Sequence, residues 1–219
     1  MKRTHLVFLI IAVVLILDQV SKIYIKTHFE YGSGVNIFGL EWAKLHFVEN
    51  KGMAFGLSFG GVLGKYLLSI FRIILVAVLM YIVLGMIKAK ENKGLLAAFA
   101  MIIAGAIGNI IDSAFYGMIF SDSPYHGGLA TMFPENGGYA PFLQGKVVDM
   151  LYFPMVDTIL PEWIPIRGGT RFTFFNPVFN IADSSISIGV ATILIFYRSF
   201  FKEEVASTEE GEIKSPILQ

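Results

Sequence analysis

Cysteine is absent from the 219 residues, which excludes a disulfide framework, a thiolate nucleophile and any Cys-ligated metal. Charge is scarce as well: only 16% of residues are charged, and Lys plus Arg and Asp plus Glu number 17 each. Without a basic excess no nucleic-acid partner is expected. The four histidines (His5, His28, His46, His126) are scattered, and there is neither an HExxH pair nor a dense His/Asp cluster. No metal and no other cofactor is therefore expected. What the chain has in quantity is apolar surface: 55% of residues are hydrophobic and the mean hydropathy is +0.65. These values describe a membrane protein.

A spanning helix needs roughly 20 predominantly apolar residues. Four windows qualify, at about 5–25, 66–88, 95–119 and 178–200. The first has the basic start and apolar middle of a signal peptide, but no small-x-small cleavage site follows Leu17, so it reads as a retained first helix. Lys2 and Arg3 precede it; Lys88, Lys90 and Lys93 crowd the link between the second and third windows, and Arg198 and Lys202 follow the fourth. By the positive-inside rule these positions and both termini are cytoplasmic. Two long segments, about 26–65 and 120–177, then lie outside; their β-branched, aromatic, Gly and Pro content predicts short strands and an ordered loop domain or lid. The tail, about 203–219, is rich in Glu and predicted to be disordered. The expectation is a single polytopic membrane domain over 1–219: an all-α, four-transmembrane-helix bundle with a small β-containing extracytoplasmic domain.

Charge inside a membrane is costly, about 2.5 to 3.5 kcal/mol per carboxylate on the lenient insertion scale, so each intramembrane acid needs a reason. At about 1.5 Å per residue, Asp18 and Lys22 lie roughly 18 and 24 Å beyond Leu6, and Asn109 and Asp112 lie roughly 21 and 26 Å beyond Leu95. Asn180 and Asp183 open the fourth window. Three helices thus bring a carboxylate to one layer toward the outer surface. Asp18 and Lys22 are spaced i,i+4; Asn109 with Asp112, and Asn180 with Asp183, are spaced i,i+3, so each pair shares a helical face. Gly105 and Gly108 permit close helix approach.

Structural readings compete at each position. Asp18 with Lys22 reads as a neutralised pair locking the bundle, Asn109 and Asp112 as interhelical hydrogen-bonding groups, and Arg72 as a snorkelling side chain or a partner of one acid. Ser184, Ser185 and Ser187 are expected to bond within their helix rather than attack a substrate. Asp183 has no nearby basic residue in its own helix, which favours function. Outside the windows, Asp149 is embedded in the apolar run QGKVVDMLYFP. Were that run to pack on the outer end of the fourth helix, Asp149 and Asp183 would share a site, and two carboxylates in a low-dielectric pocket split their pKa values so that one keeps a proton.

In chain order, LDQVSK (Asp18, Gln19, Lys22), ENKGMAFG (Asn50, Gly52, Ala54, Phe55), GAIGNIIDS (Gly105, Gly108, Asn109, Asp112), GKVVDML (Gly145, Val147, Val148, Asp149) and FNIADSSISIG (Phe179, Asn180, Ala182, Asp183, Ile186, Gly189) together resemble the blocks of bacterial lipoprotein signal peptidase, or signal peptidase II. The resemblance spans residues 10 to 190 or so. It implies a four-helix aspartic endopeptidase of the bacterial cytoplasmic (inner) membrane with its site at the outer, periplasmic surface and with Asp149 and Asp183 as catalytic pair. It further implies that Asn50, Gly52, Asn109, Asp112 and Asn180 line or brace that site, supported by Asp18 and Lys22. The implied substrates are diacylglyceryl-modified prolipoproteins, cut just before the lipidated cysteine at the membrane lipid, and the implied inhibitors are cyclic peptides such as globomycin. Two departures stand out. Ser113 occupies the position where the family usually has Arg, leaving Arg72, Arg167 and Arg171 as candidate replacements, and the Asp112–Asp149 and Asp149–Asp183 intervals are lengthened. The rival expectation from another class is a proton- or ion-coupled transporter, which also uses intramembrane carboxylates but more often shows repeat symmetry and midplane acids.

Overall fold

The structure, a computed structural model, describes residues 1–50, 61–165, 167–174 and 177–198. Gly52 and the tail at 203–219 lie outside the described residues.

Among the described residues, three helices are long and apolar enough to cross a membrane: α1 (Arg3–His28), α2 (Gly61–Lys88) and α3 (Lys93–Ile119). Helix α1 contains neither Gly nor Pro, and Lys26 and His28 in its last turn complement the negative end of the helix dipole. Helix α3 begins at the Asn92 cap, whose side chain accepts the Gly94 N–H at 2.7 Å. A fourth apolar helix, α4 (Ile181–Phe196), has 16 residues, or about 24 Å at the usual rise.

The fourth window was expected to begin near residue 178, but Val178–Phe179 are extended. They form strand β6 and pair with Leu151 and Tyr152, so the ladder of a distant strand takes the backbone that apolarity alone assigns to a helix. Helices α1 and α2 likewise extend into the segment expected to lie between them.

Strands β1 (Gly34–Asn36), β2 (Lys44–Asn50), β3 (Val147–Tyr152) and β6 form one antiparallel sheet in the order β1-β2-β3-β6. A separate hairpin, β4 (Val156–Ile159) with β5 (Arg171–Phe174), is inserted between β3 and β6. Strand β2 is set on β3 with Val48 opposite Asp149 and Glu49 opposite Val148, beyond an irregularity between Leu45 and Val48.

Two apolar clusters hold these layers. Val7, Ile11, Val83, Leu96 and Ile103 pack at the centre of the helices, while Ile25, Phe47, Tyr116, Phe120, Val148 and Met150 join the end of α1 and of α3 to the sheet. The remaining helix surface is apolar yet exposed, as at Leu17, Val20, Phe71, Ile74 and Leu194. A contiguous exposed apolar surface of that kind suits a lipid solvent.

A π-helical turn (Asp112–Tyr116) interrupts α3. The returning segment 140–145 runs beside it: the N–H groups of Ala140, Leu143 and Gly145 donate to the carbonyls of Gly117, Ala114 and Ser113 at 2.9, 3.3 and 2.9 Å. Those carbonyls, freed where the α-helical ladder is broken, thus find partners in the approach to β3. The approach is close: a Cβ on Gly145 would lie 2.1 Å from the Asp112 carbonyl oxygen.

Candidate active site

The start of α4 is a capping box. Asn180 accepts the Asp183 N–H at 2.9 Å, and Asp183 Oδ2 accepts the Asn180 N–H at 3.4 Å. Each side chain satisfies a backbone donor that the first helical turn would leave orphaned. Strand β6 leads directly into this cap, so its pairing with β3 sets where Asp183 stands.

On β3, Asp149 is 3% exposed. The amide of Asn180 donates to its Oδ1 at 2.7 Å and is also within reach of the Val148 carbonyl at 3.3 Å. Burial, reinforced by the neighbouring Asp183 charge, pushes the Asp149 carboxyl up to about 8. It therefore retains its proton at neutral pH. The two acids are joined through amides: Asn109 Nδ2 donates to Asp183 Oδ1 at 2.8 Å, and Asn109 Oδ1 accepts from Asn180 Nδ2 at 3.2 Å.

Lys22 fixes the orientation of Asn109. Its ammonium donates to Asn109 Oδ1 at 3.0 Å and forms ion pairs with Asp18 and Asp112, each at 2.8 Å and fully buried. With its oxygen committed to two donors, the Asn109 amide must present its N–H to Asp183. Asp18 also accepts the Ala182 N–H at 2.9 Å, so a carboxylate of α1 meets the first turn of α4, where the helix dipole favours negative charge. Asp112 reaches the sheet by accepting the Val148 N–H at 3.3 Å.

The small residues of GAIGN allow this convergence. A Cβ on Gly105 would lie 2.2 Å from the Ala182 carbonyl oxygen, and one on Gly108 would lie 2.5 Å from Asp18 Oδ2. Helices α1, α3 and α4 thus meet at their polar faces, as small residues permit in lipid.

The structure brings Asp18, Lys22, Asn109, Asp112, Asp149, Asn180 and Asp183 into one hydrogen-bonded group. Asn50 ends β2 opposite Val147, and strand alternation puts it on the same sheet face as Asp149. Arg72 of α2 lies within electrostatic reach of Asp183. Ser113 contributes no charge; its hydroxyl donates back to the Asn109 carbonyl at 3.0 Å. Ser184 donates to the Asn180 carbonyl at 2.8 Å. Ser185, expected to bond within its own helix, instead donates to Met101 on α3 at 2.8 Å, because it faces that neighbour.

Two participants were not singled out as site residues from the sequence. Gln19 donates to Asp112 Oδ1 at 2.9 Å and lies 3.1 Å from Asp18 Oδ2, and Tyr116 donates to Gln19 Oε1 at 3.2 Å. The available signals were the position of Gln19 beside Asp18 and the i,i+4 spacing of Tyr116 from Asp112. Chemically, one carboxyl that holds a proton beside another held by oriented amides is suited to general acid–base activation of water.

Comparisons with known proteins place the chain in a family. The family model Peptidase_A8, signal peptidase (SPase) II, matches residues 10–201. The lipoprotein signal peptidase of Porphyromonas gingivalis (strain W83) is 46% identical over 189 residues, covering 86% of this chain and 80% of that protein. That of Amoebophilus asiaticus (strain 5a2) is 34% identical over 206 residues, covering 93% and 82%. Among solved structures, a bacterial membrane enzyme determined by the in meso method at 1.9 Å has a TM-score of 0.55 at 27% identity, covering 86% of this chain and 90% of its own. Another, at 2.3 Å, has a TM-score of 0.56 at 24% identity, covering 97% and 93%, and is similar in fold. The transporter alternative finds no support in these matches. The chain, a multi-pass membrane protein, belongs to the signal peptidase II family and has the function of a lipoprotein signal peptidase.

Proposed function

We propose that the peptidase is of the aspartic type, with Asp149 and Asp183 as its catalytic pair. The observation that carries this reading is the amide linkage: Asn180 and Asn109 hold one oxygen of each acid at 2.7 and 2.8 Å, while Asp149 is the one raised to about 8. In this reading Asp183 is the ionised base and Asp149 the acid. A water between them gives its proton to Asp183 as its oxygen attacks the scissile carbonyl, which Asp149 polarises and protonates. The product is a neutral tetrahedral diol. Collapse breaks the C–N bond, the proton on Asp183 passes to the leaving amine, and a diol proton returns to Asp149.

The proposed substrate is a prolipoprotein carrying diacylglyceryl on cysteine, cut just before that residue. All four apolar helices cross the bacterial cytoplasmic membrane, both termini are cytoplasmic, and the catalytic group lies toward the outer face. Asn50, Asn109, Asp112, Asn180, Asp18 and Lys22 line or brace it, and Gly52 belongs to the same lining. That depth leaves the lipid chains of the substrate in the bilayer while water reaches the acids. A cyclic peptide of the globomycin type competes for the same space.

The test uses purified full-length protein in lipid with a diacylglyceryl-modified precursor. Cleavage is expected to stop with globomycin and in Asp149→Asn and Asp183→Asn, both still folded and membrane-inserted. Ser184→Ala and Ser185→Ala are expected to retain substantial activity. Full turnover in either aspartate variant would eliminate the pair as catalytic residues.

A further inference from the structure

Behind the sheet lies a second charge cluster, buried at Lys26 and Glu49 and reaching the surface at Asp122, that the reaction does not use. Lys26, in the last turn of α1, is fully buried and pairs with Glu49 of β2. It also donates to Ser123 Oγ at 2.9 Å, and Ser123 in turn donates to Glu49 Oε1 at 3.0 Å. Glu49 Oε2 receives Lys146 at 3.1 Å, and Lys146 continues to Asp122 at 2.6 Å. The Tyr139 ring lies 5.2 and 5.1 Å from the two ammonium groups, and its hydroxyl accepts the Lys146 N–H at 2.6 Å. Burial works against the Lys146 charge, but Asp122 and Glu49 outweigh it and hold the ammonium above its usual pKa.

The cluster is one residue removed from the catalytic register. Val48 is opposite Asp149 and Glu49 is opposite Val148, so alternation turns Glu49 to the back of the sheet and Asp149 to the front. The ladder alone does not fix this arrangement, because the pairing is irregular between Leu45 and Val48 and a slip of one residue would turn every side chain to the other face. Both Glu49 oxygens are engaged from behind, one by Lys26 of α1 and by Ser123, the other by the residue that precedes β3. We propose that Glu49 is a positioning residue: through Lys26 and Lys146 it locks β2 and β3 in the register that presents Asp149 to Asp183. The inference rests on Asp149 being a catalytic carboxylate.

The test measures kcat and KM for a diacylglyceryl-modified precursor on folded, purified Glu49→Gln, Lys146→Met, Lys146→Arg and the Glu49→Gln/Lys146→Met double variant. Asp149→Asn is run beside them. Each neutralising single variant is expected to lower kcat about ten- to a hundredfold at unchanged KM, the scale of a small misplacement of a reacting group. Lys146→Arg is expected to keep most of the turnover, and the double variant to be no slower than the worse single. If Glu49→Gln fails to fold, Lys146→Met decides alone, since it leaves the Lys26–Glu49 pair intact. Wild-type kcat in Lys146→Met, a loss confined to KM, or losses that multiply in the double variant would overturn the proposal. Activity in Asp149→Asn would instead overturn the aspartic reading.

Discussion

Asn180 Nδ2 lies 2.7 Å from Asp149 Oδ1, so the residue that caps α4 also holds the carboxyl on β3. Helix start and strand are thereby one unit: the side chain that satisfies the Asp183 N–H leaves only its amide hydrogens for Asp149 and Asn109. Replacing it acts on fold and chemistry together. Asn180→Ala is expected to cost about 0.5–2 kcal/mol through the lost cap and to reduce turnover about a hundredfold. Thermal melts in detergent and cleavage of a lipidated precursor would separate the two effects. Wild-type turnover would show that Asn180 only caps.

The Asp149 carboxyl sets a pH dependence with a definite sign. Unfolded, it titrates near 3.9; folded, burial and Asp183 hold it at about 8. Between those values the folded protein keeps a proton that the unfolded chain releases, so this group lowers stability as pH rises through the window, by up to about 1.4 kcal/mol per pH unit. Above about pH 8 the proton is lost in both states and this contribution levels off. Melting curves at pH 5 and pH 8 should therefore differ less for Asp149→Asn than for the wild type. With Asp149 as the acid, kcat should also fall on the alkaline side of about pH 8.

Lys22 supplies the positive charge between Asp18 and Asp112. Lys22→Met leaves two buried carboxylates facing each other and releases the Asn109 amide, at an expected cost of about 3–5 kcal/mol. Adding Asp18→Asn and Asp112→Asn should recover part of that stability, since neutral partners no longer repel. Denaturation of the single and triple variants would check this.

Gly105→Ala places a methyl group 2.2 Å from the Ala182 carbonyl oxygen. Backbone cannot yield as a side-chain tip can, so α3 and α4 must separate. The expected loss is about 1–3 kcal/mol, read from the melting temperature. Activity should fall with it, because Asn109 and Asp183 sit on the two helices being pushed apart.

Much of this arrangement was legible because charge is conspicuous in an apolar chain. Asp18, Asp112 and Asp183 drew attention by their cost, and i,i+3 and i,i+4 spacing placed Asn109, Asn180 and Lys22 beside them. The start of α4 was misplaced because Val178 and Phe179 are claimed by β3, and apolarity carries no information about a ladder partner so distant in sequence. Lys26, Glu49 and Lys146 carry no comparable signal in the sequence; their burial depends on how β2 folds over the end of α1. Tyr116 was overlooked for a related reason, since one more aromatic in a membrane chain is unremarkable until its hydroxyl is seen on Gln19.

The π-helical turn at Asp112–Tyr116 works as a phase shifter in the screw of α3. One extra residue in a turn rotates everything after it by about 100° relative to an uninterrupted α-helix. Upstream, Asn109 keeps step with the bundle; downstream, the carbonyls of Ala114 and Gly117 are aimed at the returning chain. Wound as a regular α-helix without losing a residue, the same sequence would carry Ala114 and Gly117 about 100° further round and aim them elsewhere. The wide turn and the number of residues between Asn109 and Gly117 are thus matched, and together they set which way the second half of α3 faces.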